Sequence, residues 1–239
     1  MTKPLYKLAL VFCLLVPLKA WNNDTLVIDF EDLLGQNKPE KDQSFVNLKA
    51  PYAFRTDAFL REEVALAFIK MADKAQKEGI QLVVISATRN WKYQKRIWES
   101  KWNQLNGSDL ERARQIMHYS SMPGTSRHHW GTDFDLNNLE PLWWEKTEGQ
   151  RIYSWLQHNA HEFGFFQPFS DQNKTRLSGY KEEKWHWSYA PLSIPIKRAY
   201  NQLVTYNDIQ GFEGAHLAQE LDVINLFVNG IEIHEKLSQ

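Results

Sequence analysis

Residues 132–136 read Thr-Asp-Phe-Asp-Leu, and this alternation constrains the fold more than any other stretch of the chain. Successive side chains of a strand point to opposite faces, so Phe134 and Leu136 share one face and Asp133 and Asp135 the other. The apolar face must be buried, and two carboxylates cannot join it without partners. The strand therefore belongs to a sheet with a core on one side and a polar cleft on the other. A second alternating segment, residues 184–189 (KWHWSY), sets Lys184, His186 and Ser188 against Trp185 and Trp187.

The rest of the chain supplies helices. Val64, Phe68, Met71 and Ala75 recur at helical spacing, which predicts a helix over about 57–77 with Gly79 as its stop. Residues 81–86 (QLVVIS) read as a buried strand. Helices are expected at 91–105 and about 110–117, broken by Asn106-Gly107-Ser108, and at 149–161. Residues 118–131 form a loop rich in turn-formers and histidine. Residues 21–55, with Pro39 and Pro51, read as an extended lead-in with a short strand at 25–28. The tail is helical, around 193–207 and 215–230. This order predicts an α+β fold, a small antiparallel sheet with helices packed on one side and a C-terminal helical extension.

Composition narrows the function. With 28 basic and 29 acidic residues the chain has no charge excess for gripping nucleic acid nonspecifically. Cys13 is the single cysteine, which excludes a disulfide framework, a Cys-rich zinc finger and an iron–sulfur site. Residues 1–20 have the pattern of a secretory signal: Lys3 and Lys7, an apolar run from Leu8 to Leu18, then the small Ala20. The run is too short for a good membrane span, so no stable span is expected once it is removed. Removal takes away Cys13 and leaves 25 basic against 29 acidic residues, a net charge of about −4. Any metal site in the mature chain must then be built from His, Asp and Glu, and the expected location is periplasmic or secreted. The expected organisation is a signal peptide at 1–20, one domain at 21–192 and the helical extension at 193–239.

Three segments carry chemistry: 126–135 (SRHHWGTDFD), 183–186 (EKWH) and 86–89 (SATR). If the two alternating strands are neighbours, His128, Asp135 and His186 can converge. Two neutral imidazoles and one carboxylate leave a fourth position open, the form of a catalytic zinc site, where the pKa of water falls from about 15.7 to around 7. Glu183, three residues before His186, is a candidate base. On a regular strand the two would face apart, so a turn or bulge must intervene. Arg89 stands where a strand gives way to a loop and can stabilise an oxyanion. His161-Glu162 begins like the helical zinc-protease motif but lacks its second histidine, and reads as the exposed end of a helix.

In this order the segments resemble the zinc D-alanyl-D-alanine carboxypeptidases of the VanY type, within the wider group that includes the VanX dipeptidases and the hedgehog-like fold. That family carries Ser-x-His-x-x-Gly-x-Ala-x-Asp, then Glu-x-x-His, usually Glu-x-Trp-His. Ser126, His128, Gly131 and Asp135 match the first pattern, and Glu183, Trp185 and His186 the second. Upstream, SATRNWKYQ places Arg89 and Gln94 on the family's segment of Arg followed by Tyr-Gln. The resemblance runs from about residue 56 to 192.

It implies Zn2+ bound by His128, Asp135 and His186, with Glu183 as general base and then proton donor to the leaving amine. It implies Arg89 at the developing charge of the scissile carbonyl, Ser126 on the substrate's terminal carboxylate, and Gln94 helping to position substrate. The implied substrate is a peptidoglycan stem peptide losing its terminal D-Ala. An LD-carboxypeptidase, an endopeptidase on the same fold, and a noncatalytic zinc- or wall-binding module stay open as alternatives. The chain departs from the pattern at Asp133, where the family has Ala. By strand parity Asp133 faces the cleft with Asp135. It orients a ligand histidine from behind, adds negative charge near the metal, contacts substrate, or is a solvated acid at a strand edge. His129 adds an imidazole beside His128; neighbours on an extended chain point apart, which favours a structural role.

Overall fold

A computed structural model of the chain describes residues 28–172 and 176–232. The segment 1–20 lies outside the described residues, as does all but Ile28 of the strand expected at 25–28. The lead-in is less extended than expected. It carries α1 (Phe30–Leu33) and β1 (Phe45–Leu48), and β1 pairs antiparallel with β2 (Ala58–Arg61). The helix expected from 57 therefore starts later, as α2 (Glu62–Lys77), because Ala58 and Leu60 are buried as parts of a strand. Glu62 and Glu63 then fall in the first helical turn, where the helix dipole favours acids. Val64, Phe68, Met71 and Ala75 are buried, as their spacing predicts. Gly79, at φ +75°, closes the helix, with the N–H groups of Gly79 and Ile80 returning to the carbonyls of Gln76 and Ala75.

The main sheet runs in the order β3 (Val84–Ser86), β4 (Asp133–Leu136), β6 (His186–Tyr189), β5 (Phe165–Phe166), all antiparallel. β4 and β6 are neighbours, with Phe134 opposite Trp187 and Asp135 opposite His186. One face of β4 is apolar: Phe134 meets Phe68 at 4.9 Å and Phe165 at 5.2 Å between ring centres. α2 and α5 (Thr147–Asn159) supply this core, the latter through Ile152, Trp155 and Leu156. The end of the helix expected to reach 161 is a 3-10 turn over Ala160–Phe163, where exposed Glu162 pairs with Lys74.

A second core joins α3 (Trp91–Trp102), α4 (Asp109–Ile116) and α6 (Ala190–Leu203) through Trp98, Trp102, Ile116, Trp130, Ile196 and Tyr200. Ser108 and Glu111 form a reciprocal cap that starts α4. The tail differs from expectation. α6 begins before residue 193, and 215–230 is not one helix but a 3-10 turn at Ala215–Leu217 and one π turn at Ile224–Val228. Asp222, at φ +47°, adopts the left-handed region between them, which an α-helix cannot pass through. Among the described residues no helix is long and apolar enough to cross a membrane.

Candidate metal centre

The sheet and one turn bring three of the sequence-predicted side chains together. Asp135 and His186 face each other across β4 and β6, and His128 comes from a 3-10 turn, Arg127–Trp130, that runs into β4. One ligand atom from each lies within 4.8 Å of the other two, and all three residues are buried. Gly131 makes the turn possible. Its φ is +73°, and a Cβ there would meet Phe45 Cε1 at 2.3 Å.

Hydrogen bonds fix which atoms face inward. His128 Nδ1 lies 2.9 Å from the Ala87 carbonyl, which can only accept, so Nδ1 carries the proton and Nε2 a lone pair. That Nε2 points at Asp135 Oδ1, 3.3 Å away, and neither atom has a hydrogen-bond partner. Two buried acceptors facing each other repel unless a cation lies between them. His186 Nδ1 is 3.2 Å from the same oxygen. Ligand atoms held about 2.0–2.1 Å from a tetrahedral zinc ion lie about 3.3–3.4 Å apart, so these two separations suit such an ion, and the two imidazole nitrogens lie within 4.8 Å of each other.

The other nitrogen of His186, Nε2, donates to Asp133 Oδ2 at 3.0 Å, which leaves Nδ1 free to ligate. Asp133 is fully buried, not solvated at a strand edge. It also accepts from Arg127 Nε at 2.8 Å, Thr132 Oγ1 at 2.6 Å and Ser188 Oγ at 2.9 Å. Burial alone would raise its pKa, but Arg127 and His186 outweigh that and hold it low. In the sequence Arg127 reads as any loop cation, and its place between Ser126 and His128 is the one sign of this role. Burial depresses the basicity of His186, yet Asp133, Asp135 and Glu183 around it raise its pKa well above the ordinary value. Three carboxylates on one imidazole mark a point that demands positive charge, which a bound cation supplies as well as a proton does.

A turn resolves the parity of Glu183 and His186. β6 begins only at His186, whose N–H returns to the Glu183 carbonyl at 3.2 Å. Glu183 Oε2 thereby comes 3.3 Å from His186 Nδ1. Burial pushes the Glu183 carboxyl above its usual range. Arg89 lines the same cleft, with its guanidinium 3.9 Å from Asp135 Oδ2 and its Nε unpartnered. Ser126 lines it too, with a buried, unpartnered hydroxyl. Gln94 is not brought to the cleft wall: it is buried, and its Nε2 donates to the carbonyl of Ser121, which is the residue at the wall. His129 turns away from the cluster. Its Nδ1 donates to the Arg89 carbonyl at 2.6 Å and its Nε2 accepts the Gly124 N–H at 3.1 Å, so both nitrogens are used in bracing the loop.

Comparison with known proteins gives the family and the fold. Residues 57–192 match the family model described as VanY, D-alanyl-D-alanine carboxypeptidase. The Bacillus subtilis (strain 168) protein YodJ is 29% identical over 137 residues, covering 55% of this chain and 46% of its own length. A D-alanyl-D-alanine carboxypeptidase of Enterococcus faecalis (strain ATCC 700802 / V583) is 27% identical over 128 residues, 52% of this chain and 46% of that one. The chain thus matches about half the length of these curated relatives. The fold is shared with a mutant of the vancomycin-resistance D,D-pentapeptidase VanY in complex with Zn(II), at TM-score 0.51 and 22% identity over 70% of this chain and 89% of that one. It is shared equally with the LD-carboxypeptidase LdcB, at TM-score 0.51 and 23% identity over 78% and 76%. With more than half its residues matched by the family model, the chain belongs to the VanY D-alanyl-D-alanine carboxypeptidase family.

Proposed function

We propose that this protein is a zinc peptidase that removes the terminal D-alanine from peptidoglycan stem peptides. The observation that carries the reading is the pair of buried, unpartnered acceptors His128 Nε2 and Asp135 Oδ1, with His186 Nδ1 beside them. His128, Asp135 and His186 hold the zinc ion. Bound there, the ion is a Lewis acid that makes water nucleophilic at neutral pH and polarises a carbonyl.

The chain's own residues do the rest. Glu183 takes the proton of the attacking water and passes it to the departing amine. A carboxyl raised by burial is better matched to both tasks near neutral pH than an ordinary one. Arg89 stabilises the oxyanion, a contribution of about 10²–10³ in rate for one well-placed donor. Ser126 offers its free hydroxyl to the substrate's carboxylate. Asp133, backed by Arg127, holds the His186 ring in its ligating orientation. The substrate lies outside the cytoplasm, which agrees with the exported location that residues 1–20 predict.

The test is mass spectrometry of a stem pentapeptide ending in D-Ala-D-Ala after incubation with the zinc-loaded protein, with Glu183→Gln as control. Release of one D-alanine by the parent and none by Glu183→Gln, at equal zinc content, is expected. A zinc-loaded parent that leaves the pentapeptide intact overturns the reading. Cleavage of only the tetrapeptide reassigns the bond to an LD-carboxypeptidase.

A further inference from the structure

Two lysines reach the edge of the cleft without a carboxylate to pair with. Lys101 stands on α3 two turns beyond Gln94, so the two share one face of the helix. Gln94 Nε2 donates to the Ser121 carbonyl at 2.8 Å, and Lys101 Nζ donates to Ser120 Oγ at 2.5 Å. This face braces the segment whose members Tyr119 and Ser121 line the cleft. Lys181 meets the same segment. Its Nζ lies 5.8 Å from the centre of the Tyr119 ring, and its N–H donates to the His118 carbonyl at 3.0 Å.

The nearby acids are engaged elsewhere. Glu99 pairs with Lys95 at 3.5 Å, and Glu182 lies 3.9 Å from Lys184. Among the described residues no carboxylate comes within ion-pairing distance of Lys101 or Lys181. Partial burial and the Arg89 guanidinium lower the Lys101 pKa, against a raising contribution from the Glu183 carboxylate. The ammonium is therefore within electrostatic reach of two groups of the cleft. A partly desolvated cation near a like charge, with a hydroxyl as its partner, gains from an anion that reaches it.

We infer that Lys101 and Lys181 form a specificity site for an internal carboxylate of the peptide substrate, on a residue ahead of the bond that is cut. The inference rests on the peptidase reading above and adds which peptides that chemistry serves best. Exposure sets the direction of the chain. Ser126, at the inner end of the cleft, is 1% exposed, whereas Tyr119 is 40% exposed and Lys101 is open to solvent. A carboxypeptidase holds the end of its substrate inside, and the rest of the peptide leads out past the rim. Two ammonium groups at that rim favour a peptide whose internal carboxylates are free over one in which they are amidated.

Steady-state kinetics on two pentapeptides ending in D-Ala-D-Ala test this, one with its internal carboxylates free and one with those groups amidated, both keeping the C-terminal carboxylate. The zinc-loaded parent should favour the free acid by about tenfold in kcat/KM, mainly through KM, and added salt should erode that preference. Lys101→Met keeps the stem without the charge and should bring the ratio to within about twofold of unity, while Lys101→Arg should retain most of it. Lys181→Met should lower the ratio in part. Because both peptides meet the same protein, the ratio cancels any general loss from the Ser120 brace. A parent with no preference overturns the inference, as does a Lys101→Met protein that cleaves both peptides more slowly at an unchanged ratio. If the parent cleaves neither peptide, the peptidase reading fails, and calorimetric titration of the two peptides onto parent and Lys101→Met still decides the site. Tighter binding of the free acid by the parent alone then supports it, and equal binding overturns it.

Discussion

Asp133→Ala tests how the metal centre is oriented, because it installs the small residue that the family pattern carries at this position. In this chain Asp133 is fully buried, accepts from His186 Nε2 and neutralises Arg127. Its removal leaves the Arg127 guanidinium, itself almost fully buried, without a counter-charge. Breaking one side of a buried ion pair costs about 3–5 kcal/mol. At roughly 2–4 °C per kcal/mol for a chain of this size, Tm should fall by about 6–20 °C. Loss of the carboxylate behind a ligand imidazole should also weaken zinc binding by about 10–100-fold. The double variant Arg127→Met/Asp133→Ala separates the two effects. It removes both charges, so most of the stability should return, while zinc affinity should stay low because His186 Nε2 still lacks its acceptor. Thermal unfolding of metal-free protein and zinc competition against a chromogenic chelator read the two quantities. If Asp133→Ala binds zinc as tightly as the parent, the carboxylate does not orient the ligand and the reasoning fails.

Three further outcomes follow from the same geometry. Chelation should lower Tm, and zinc but not magnesium should restore it, since two of the three inward atoms are imidazole nitrogens; at a thousandfold excess over Kd the shift corresponds to about 4 kcal/mol. His129 is held down to about 3 by burial, so below its ordinary value of 6.5 the unfolded chain binds a proton that the folded chain refuses. Stability should therefore fall with decreasing pH across that window, by up to about 1.4 kcal/mol per unit, and His129→Gln should flatten the slope in Tm-versus-pH curves. An unaltered slope removes His129 from the account. Gly131→Ala places a Cβ 2.3 Å from Phe45 at a left-handed φ, and should cost roughly 1–3 kcal/mol in denaturant unfolding; a neutral result means the β1 side yields freely.

The face of the sheet that carries the candidate metal centre was legible because alternation over 132–136 sets both carboxylates opposite Phe134 and Leu136. Once β4 and β6 are neighbours, their register sets Asp135 opposite His186. The short β1–β2 pair was not legible. Four-residue strands show little periodicity, and Ala58 to Arg61 merge into the amphipathic pattern of α2. Gln94 carries the family resemblance in sequence, but only the fold shows that its side chain ends on the Ser121 carbonyl behind the wall. Tyr180 sits in an irregular polar stretch, and its place in the cleft wall comes with ring contacts to Phe169 and Phe227, the second of them 47 residues away and beyond the family pattern. Long-range packing of that kind leaves no local trace.

The Asp133 departure is better understood as a pair than as a single substitution. An added carboxylate beside Asp135 and Glu183 would by itself crowd negative charge into a buried site; the Arg127 guanidinium at 2.8 Å cancels it locally. His186 thus gains a strong acceptor without a change in net charge. A carboxylate behind the imidazole makes the ligand more basic, which holds a cation more tightly and leaves that cation a weaker Lewis acid. The ion-paired form should then trade some activity at low pH for retention of metal where zinc is scarce. In the Arg127→Met/Asp133→Ala protein, measured at saturating zinc, the acid limb of kcat/KM should move to lower pH while the zinc concentration needed for activity rises. Movement of the limb to higher pH, or no change in the zinc requirement, is incompatible with this account of the pair.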